Sequence, residues 1–146
     1  APGELPEEQI VTQHSMREEV KHSASILLAE DNPVNQQLAV KLLTKAGYRV
    51  EVAGNGREAV ERFSAQPDAY DIVFMDVQMP ELNGLDATRR IRSSGFTAIP
   101  IIAMTANVIT GDREKCLDAG MNDYIPKPIK REVVFDMLKK WVIEKE

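Results

Sequence analysis

Four polar residues stand where four successive apolar runs stop. Asp31 follows Ile26-Leu27-Leu28-Ala29 and Glu30, Asp76 follows Ile72-Val73-Phe74-Met75, Thr105 follows Ile101-Ile102-Ala103-Met104, and Lys127 follows Tyr124-Ile125-Pro126. Carboxylates of this kind hold a hard cation such as Mg2+, which takes oxygen ligands, one or two acids among them, with water and phosphate completing its shell. A hydroxyl and an amine beside them can bond and neutralise a phosphoryl group. Asp76 ends the most apolar run, where an uncompensated charge is costly to desolvate. With a divalent cation and Lys127 offsetting the acids, its carboxylate can act as a nucleophile toward phosphorus and form an acyl phosphate. Each residue has an ordinary reading alone: Glu30-Asp31 as a polar turn, Thr105 as a β-branched strand residue, Lys127 as a solvated turn lysine. Capping does not explain the acidic pair, because Asn32 already supplies the cap of the first helix. The Lys127-Pro128 bond is a candidate cis peptide.

The chemistry requires all four ends to meet. Parallel strands of one sheet would place them together at its carboxyl edge, where open α/β folds bind ligands. The sequence supports this with five repeats of a short apolar run followed by an amphipathic segment, which is the signature of βα units. Strands are expected near 26–29, 49–53, 71–75, 99–103 and 123–125. Asn32 with Pro33 opens a first helix that Gly47 stops. Further helices are expected over 56–65, 85–93, 109–119 and 132–143, turning Ala59, Val60, Phe63, Leu85, Thr88, Ile91, Val134, Met137, Leu138 and Trp141 inward.

The 146 residues, 43% hydrophobic and 28% charged, suit one globular domain. A net charge of -5 leaves no basic stripe for nucleic acid. No apolar stretch approaches the roughly 20 residues of a membrane helix, and no signal-peptide pattern opens the chain. These features imply a cytoplasmic chain with neither nucleic-acid nor membrane contact. The single Cys116 excludes an internal disulfide and reads as a small buried apolar residue. Residues 1–25, rich in Pro, Glu, Gln and Ser, read as a flexible linker or tether, and 26–146 as the folded domain. His14 lies in that linker without the long dimerising helices a phosphorylated histidine would need, so it reads as solvated.

The stretches Ala29-Glu30-Asp31-Asn32, Met75 through Gly84, Met104-Thr105-Ala106 and Pro126-Lys127-Pro128 resemble the receiver domain of two-component response regulators, over about 26–142. The resemblance implies a flavodoxin-like doubly wound (βα)5 fold, a five-stranded parallel sheet of order 2-1-3-4-5. It implies Asp76 as phosphoacceptor, Asp31 bound directly to Mg2+, Glu30 bound through water, and the Gln78 backbone carbonyl as a third protein ligand, with Mn2+ able to substitute. Thr105 and Tyr124 match the switch pair, Ala106 the small position giving access to phosphate, and Lys127 the phosphate-binding lysine. The implied reaction is transfer from phosphohistidine to Asp76, with self-phosphorylation and self-dephosphorylation chemistry. Thr105 and Tyr124 would then repack the face of the fourth helix, fifth strand and fifth helix, a surface for partners or a homodimer.

The run Glu30 to Gln36 and the Asp76-Val77-Gln78-Met79-Pro80 motif look most like receivers attached to hybrid histidine kinases, whose parent is a sensor kinase that can be membrane-anchored. The expected partners are a histidine kinase or a histidine phosphotransfer domain. A free-standing receiver and a degenerate scaffold are alternatives. A haloacid-dehalogenase-type phosphatase is opposed by the neutral Gln78 where a second Asp belongs. A flavodoxin-type carrier is opposed by Glu30 and Asp31, which would repel a phosphate.

Overall fold

The computed structural model describes residues 24–79, 81–106 and 112–143. Five strands alternate with five helices: β1 (Ser25–Ala29), α1 (Pro33–Lys45), β2 (Arg49–Ala53), α2 (Gly56–Ala65), β3 (Ile72–Asp76), α3 (Gly84–Ser93), β4 (Ile101–Thr105), α4 (Asp112–Ala119), β5 (Asp123–Pro126) and α5 (Arg131–Leu138). All pair in parallel in the order β2-β1-β3-β4-β5, the arrangement that the family resemblance implies.

Alternation along buried strands sends successive side chains to opposite faces. Leu27, Ala29, Val73, Met75, Ile101 and Ala103 therefore face α2, α3 and α4, meeting Ala59, Phe63, Ala87, Ile91 and Cys116. Ile26, Leu28, Ile72, Phe74, Ile102 and Met104 face α1 and α5, meeting Ala39, Leu43, Val134 and Leu138. Cys116 is buried in the first of these layers.

Local chemistry starts and stops the helices where the sequence indicates. Asn32 Oδ1 accepts from the Val34 and Asn35 N–H groups at 2.9 and 3.2 Å, and Pro33 opens α1. Asn55 caps α2 through Glu58 N–H, while the Glu58 carboxylate accepts from Gly54 N–H. Asn83 caps α3 through Asp86 N–H. Gly47 and Gly120 take φ of 99° and 108° just past α1 and α4, where a side chain would be strained.

Several boundaries differ from the sequence expectation. β1 starts at Ser25, with Ala24 already buried. β3 begins at Ile72 because exposed Asp71 turns its carboxylate back to accept from Ser25 N–H at 2.8 Å. β4 begins at Ile101, two residues later than expected: Pro100 has no N–H for the ladder, and Ile101 N–H is taken by Asn122 Oδ1 at 2.9 Å. Asp76 and Thr105 are thus the last residues of their strands. The regular part of α5 ends at Leu138, and a π turn over Lys139–Ile143 comes after it. The wider turn lets Lys140 Nζ and Trp141 Nε1 both reach Asp123 Oδ2, at 3.1 and 3.2 Å. The tether reading of 1–25 falls, for 1–23, outside the described residues, as do residues 109–111 of the fourth helix.

Gly84 begins α3 against the backbone of β3, where a Cβ would come within 2.1 Å of the Asp76 carbonyl oxygen. Gly84→Ala should therefore cost about 2–3 kcal/mol through forced backbone displacement, read as a lower urea midpoint at unchanged m-value.

Candidate functional site

The parallel register brings four strand ends level. Ala29 lies opposite Met75, Asp76 opposite Met104, and Thr105 opposite Pro126. Backbone bonds continue this past the strands: Glu30 N–H donates to Ala53 O, Val77 N–H to Met104 O, and Lys127 N–H to Thr105 O, at 3.0, 3.0 and 2.9 Å. Glu30, Asp76, Thr105 and Lys127 consequently converge at one edge. Glu30, Asp76 and Thr105 are buried, while Asp31 is exposed at the mouth.

Lys127 sits between the acids, and the peptide bond joining it to Pro128 is cis. Its Nζ is 2.7 Å from Asp76 Oδ2, 3.3 Å from Glu30 Oε1 and 3.1 Å from Glu30 Oε2. Glu30 is also held from α1, whose Asn35 Nδ2 donates to Oε1 at 2.7 Å and whose Gln36 Nε2 donates to the Glu30 carbonyl at 2.6 Å. Gln78 N–H donates to Asp76 Oδ1 at 3.1 Å. Carboxylate oxygens of Glu30, Asp31 and Asp76 all lie within 4.8 Å of one another.

This cluster carries too much negative charge for one ammonium. Burial, with Glu30 adding to it, pushes the Asp76 carboxyl from 3.8 up to about 6, against the opposing pull of Lys127. Burial alone would lower Lys127, yet its bonds to Asp76 and Glu30 outweigh that and hold it above the usual lysine range. The two shifts differ in origin: the lysine gains from bonding two acids, whereas the rise of Asp76 comes first from burial and then from Glu30. Buried Glu30 Oε2 accepts no well-aligned hydrogen bond among the described residues. A buried carboxylate oxygen without an aligned hydrogen bond, beside two further carboxylates, is a donor set that fits a hard divalent cation.

Around this centre, Thr105 is 5% exposed at the end of β4. Ala106 is exposed immediately after it. Tyr124, half-buried on β5 opposite Ala103, lies under the Arg113 guanidinium of α4 at 5.8 Å. The sequence reasoning did not single out Asn35 or Gln36. A signal existed for the first: Asn35 shares a helical stripe with buried Ala39 and Leu43 at i, i+4 and i+8, so a polar residue stands on an inward face at the ligand end.

Comparison with known proteins agrees with this fold. The chain belongs to the response regulator receiver domain family, which matches residues 26–139, and it is a receiver domain of the two-component phosphorelay type. It is 47% identical to two-component system protein A of Emericella nidulans over 80% of this chain and 17% of that protein. It is 38% identical to hybrid signal transduction histidine kinase M of Dictyostelium discoideum over 83% of this chain and 5% of that protein. The chain thus spans under a fifth of these relatives. Among solved structures, the receiver domain of a Pseudomonas aeruginosa sensor histidine kinase, with a magnesium ion coordinated in its active site cleft, is 46% identical at a TM-score of 0.76, covering 82% of this chain and 98% of that one. The receiver domain of the Saccharomyces cerevisiae response regulator Ssk1, co-crystallised with the histidine phosphotransfer protein Ypd1, is 28% identical at 0.78, covering 84% and 91%.

The raised pKa of Asp76 fixes a pH dependence. Between pH 3.8 and about 6 the folded chain holds a proton that the unfolded chain has released, so unfolding free energy falls as pH rises through that window. In metal-free buffer at pH 7.5, Asp76→Asn should be more stable than the wild type by about 1–3 kcal/mol. The difference should vanish below pH 3.8, as read by urea titrations at both pH values.

Proposed function

We propose that this chain accepts a phosphoryl group from a phosphohistidine onto Asp76. The observation that carries the reading is the meeting of Asp76, Glu30, Asp31 and Lys127 at one sheet edge with an excess of negative charge. A carboxyl group with pKa about 6 is largely ionised at neutral pH and available as a nucleophile. The Asp76 oxygen bonds to phosphorus as the phosphorus–nitrogen bond breaks, and the imidazole leaves with its electron pair and takes a proton. Lys127 Nζ, already 2.7 Å from Asp76 Oδ2, follows the charge onto the phosphoryl oxygens. The Thr105 hydroxyl donates to one of them, and Ala106 leaves the approach open.

Asp31, Asp76 and the Gln78 backbone carbonyl would hold Mg2+, with Glu30 joined through water; Mn2+, of the same charge and oxygen preference, substitutes. Bound there, the cation supplies charge neutralisation of the phosphoryl group. Support comes from the meeting of three carboxylates within 4.8 Å and from magnesium in the cleft of the Pseudomonas aeruginosa receiver. After transfer, Thr105 and Tyr124 shift toward the site and repack the α4–β5–α5 face, where exposed Leu117 and Arg113 offer a homodimer or partner surface.

The donor is a histidine kinase or a histidine phosphotransfer domain, as the yeast complex illustrates. Val34 and Leu38, 65% and 57% exposed on α1, form an apolar landing surface at the mouth of the site. The chain is read as the receiver of a cytoplasmic hybrid kinase region, with 1–25 as its tether; no helix among the described residues is long and apolar enough to cross a membrane.

Incubation with acetyl phosphate should add one base-labile, hydroxylamine-sensitive phosphoryl group by intact mass, dependent on Mg2+ and absent from Asp76→Asn. No adduct on folded protein would leave a degenerate scaffold instead. Leu38→Asp should slow transfer from a phosphotransfer domain about tenfold or more while leaving the acetyl phosphate rate unchanged, because only the protein donor needs the apolar contact.

A further inference from the structure

The chain leaving β3 is tied to the chain that returns to α3: Gly84 N–H donates to the Val77 carbonyl at 2.9 Å, beside Asp76. Gln78 follows Val77 directly. Across from it, Glu81 has φ 64°, and it is the one non-glycine residue in the left-handed region among the described residues. That conformation costs a residue bearing a Cβ about 1–2 kcal/mol and persists only where surroundings over-determine it.

The surroundings come from the start of α2. Glu81 Oε2 accepts from Asn55 Nδ2 at 2.8 Å, and Arg57 lies 3.9 Å from the same oxygen. The Leu82 carbonyl oxygen presses so closely on Gly56 that a Cβ there would come within 1.9 Å of it. Asn55 uses its two side-chain atoms for different ends, with Oδ1 capping α2 and Nδ2 holding Glu81.

We propose that Asn55 is a positioning residue: through Glu81 it latches the chain between β3 and α3 in the one shape that aims the Gln78 carbonyl and the Asp76 carboxylate at a shared cation. The inference rests on the proposal that this edge binds Mg2+. Without the latch, Glu81 relaxes out of the left-handed region, that chain changes its path, and the backbone ligand moves away from the two acids. The helix cap is chemically separable from this role, because it uses the other atom.

Asn55→Asp tests it, since the substitution keeps an oxygen for the cap and replaces the donor with a carboxylate oxygen facing Glu81. The added negative charge alone would tighten Mg2+ binding, whereas loss of the latch weakens it, so the sign decides. Calorimetric titration of the metal-free full chain with Mg2+ should show about tenfold weaker binding, the scale found when groups supporting a metal ligand are lost. The double variant Asn55→Asp with Glu81→Gln carries the wild-type net charge with donor and acceptor exchanged, and should recover most of the affinity. Glu81→Gly, which relieves the strain but removes the tether, should lose affinity as Asn55→Asp does. Binding at or above wild-type strength in Asn55→Asp or Glu81→Gly, or a double variant no better than Asn55→Asp, overturns the latch. A wild type that binds no Mg2+ at all overturns the cation reading and the latch together, an outcome distinct from the others.

Discussion

Crowding of like charge at the end of a buried sheet is the constraint around which this molecule is arranged. Two unit charges about 4 Å apart repel by roughly 4 kcal/mol at an effective dielectric near 20, a large share of a domain's total stability. Glu30, Asp31 and Asp76 are held within that range by a backbone framework rather than by attraction to one another. The parallel ladder fixes where the strands end, Asn35 and Gln36 pin Glu30 from the first turns of α1, and the bond from Gly84 N–H to the Val77 carbonyl ties the chain on the other side. The sheet interior supplies the stability that this edge consumes.

The crevice itself arises from the division of helices between the two faces. β1 and β3 are neighbours, but the chain leaving β1 turns to the layer of α1 and α5, while the chain leaving β3 turns to the layer of α2, α3 and α4. Two adjacent strands whose continuations part in opposite directions leave a gap above their ends. Glu30, Asp31 and Asp76 line that gap because each is among the first residues of, or last before, the departing segment.

Much of this was legible in the sequence because it is encoded locally. Four-residue apolar runs mark buried strands, Asn32-Pro33 marks a helix start, and glycines at 47 and 120 mark stops, each through its own backbone preferences. The acids and the lysine stood out because each polar residue closes an apolar run. What escaped depends on partners far away in the chain. Nothing near Ile101 foretells that Asn122 will take its N–H. Nor does anything near Arg92 announce that its guanidinium will bridge the carbonyls of Phe96 and Gly120 and the Asn122 amide, buried enough that desolvation lowers its pKa. The hold of Asn35 on Glu30 and the left-handed Glu81 belong to the same class, since both are consequences of packing between elements.

The π turn at the end of α5 places the chain's single tryptophan against the carboxylate that opens β5, with a lysine ammonium 5.2 Å from the indole ring. Asp123 is adjacent in sequence to Tyr124, so the chromophore is anchored to the same short strand that carries this aromatic, at the opposite end of the sheet from the acids. Its emission is therefore governed by how α5 seats on β5, through a neighbouring anion and cation whose fields act on the indole. The molecule carries a built-in optical gauge of that seat, at the end of β5 away from Lys127.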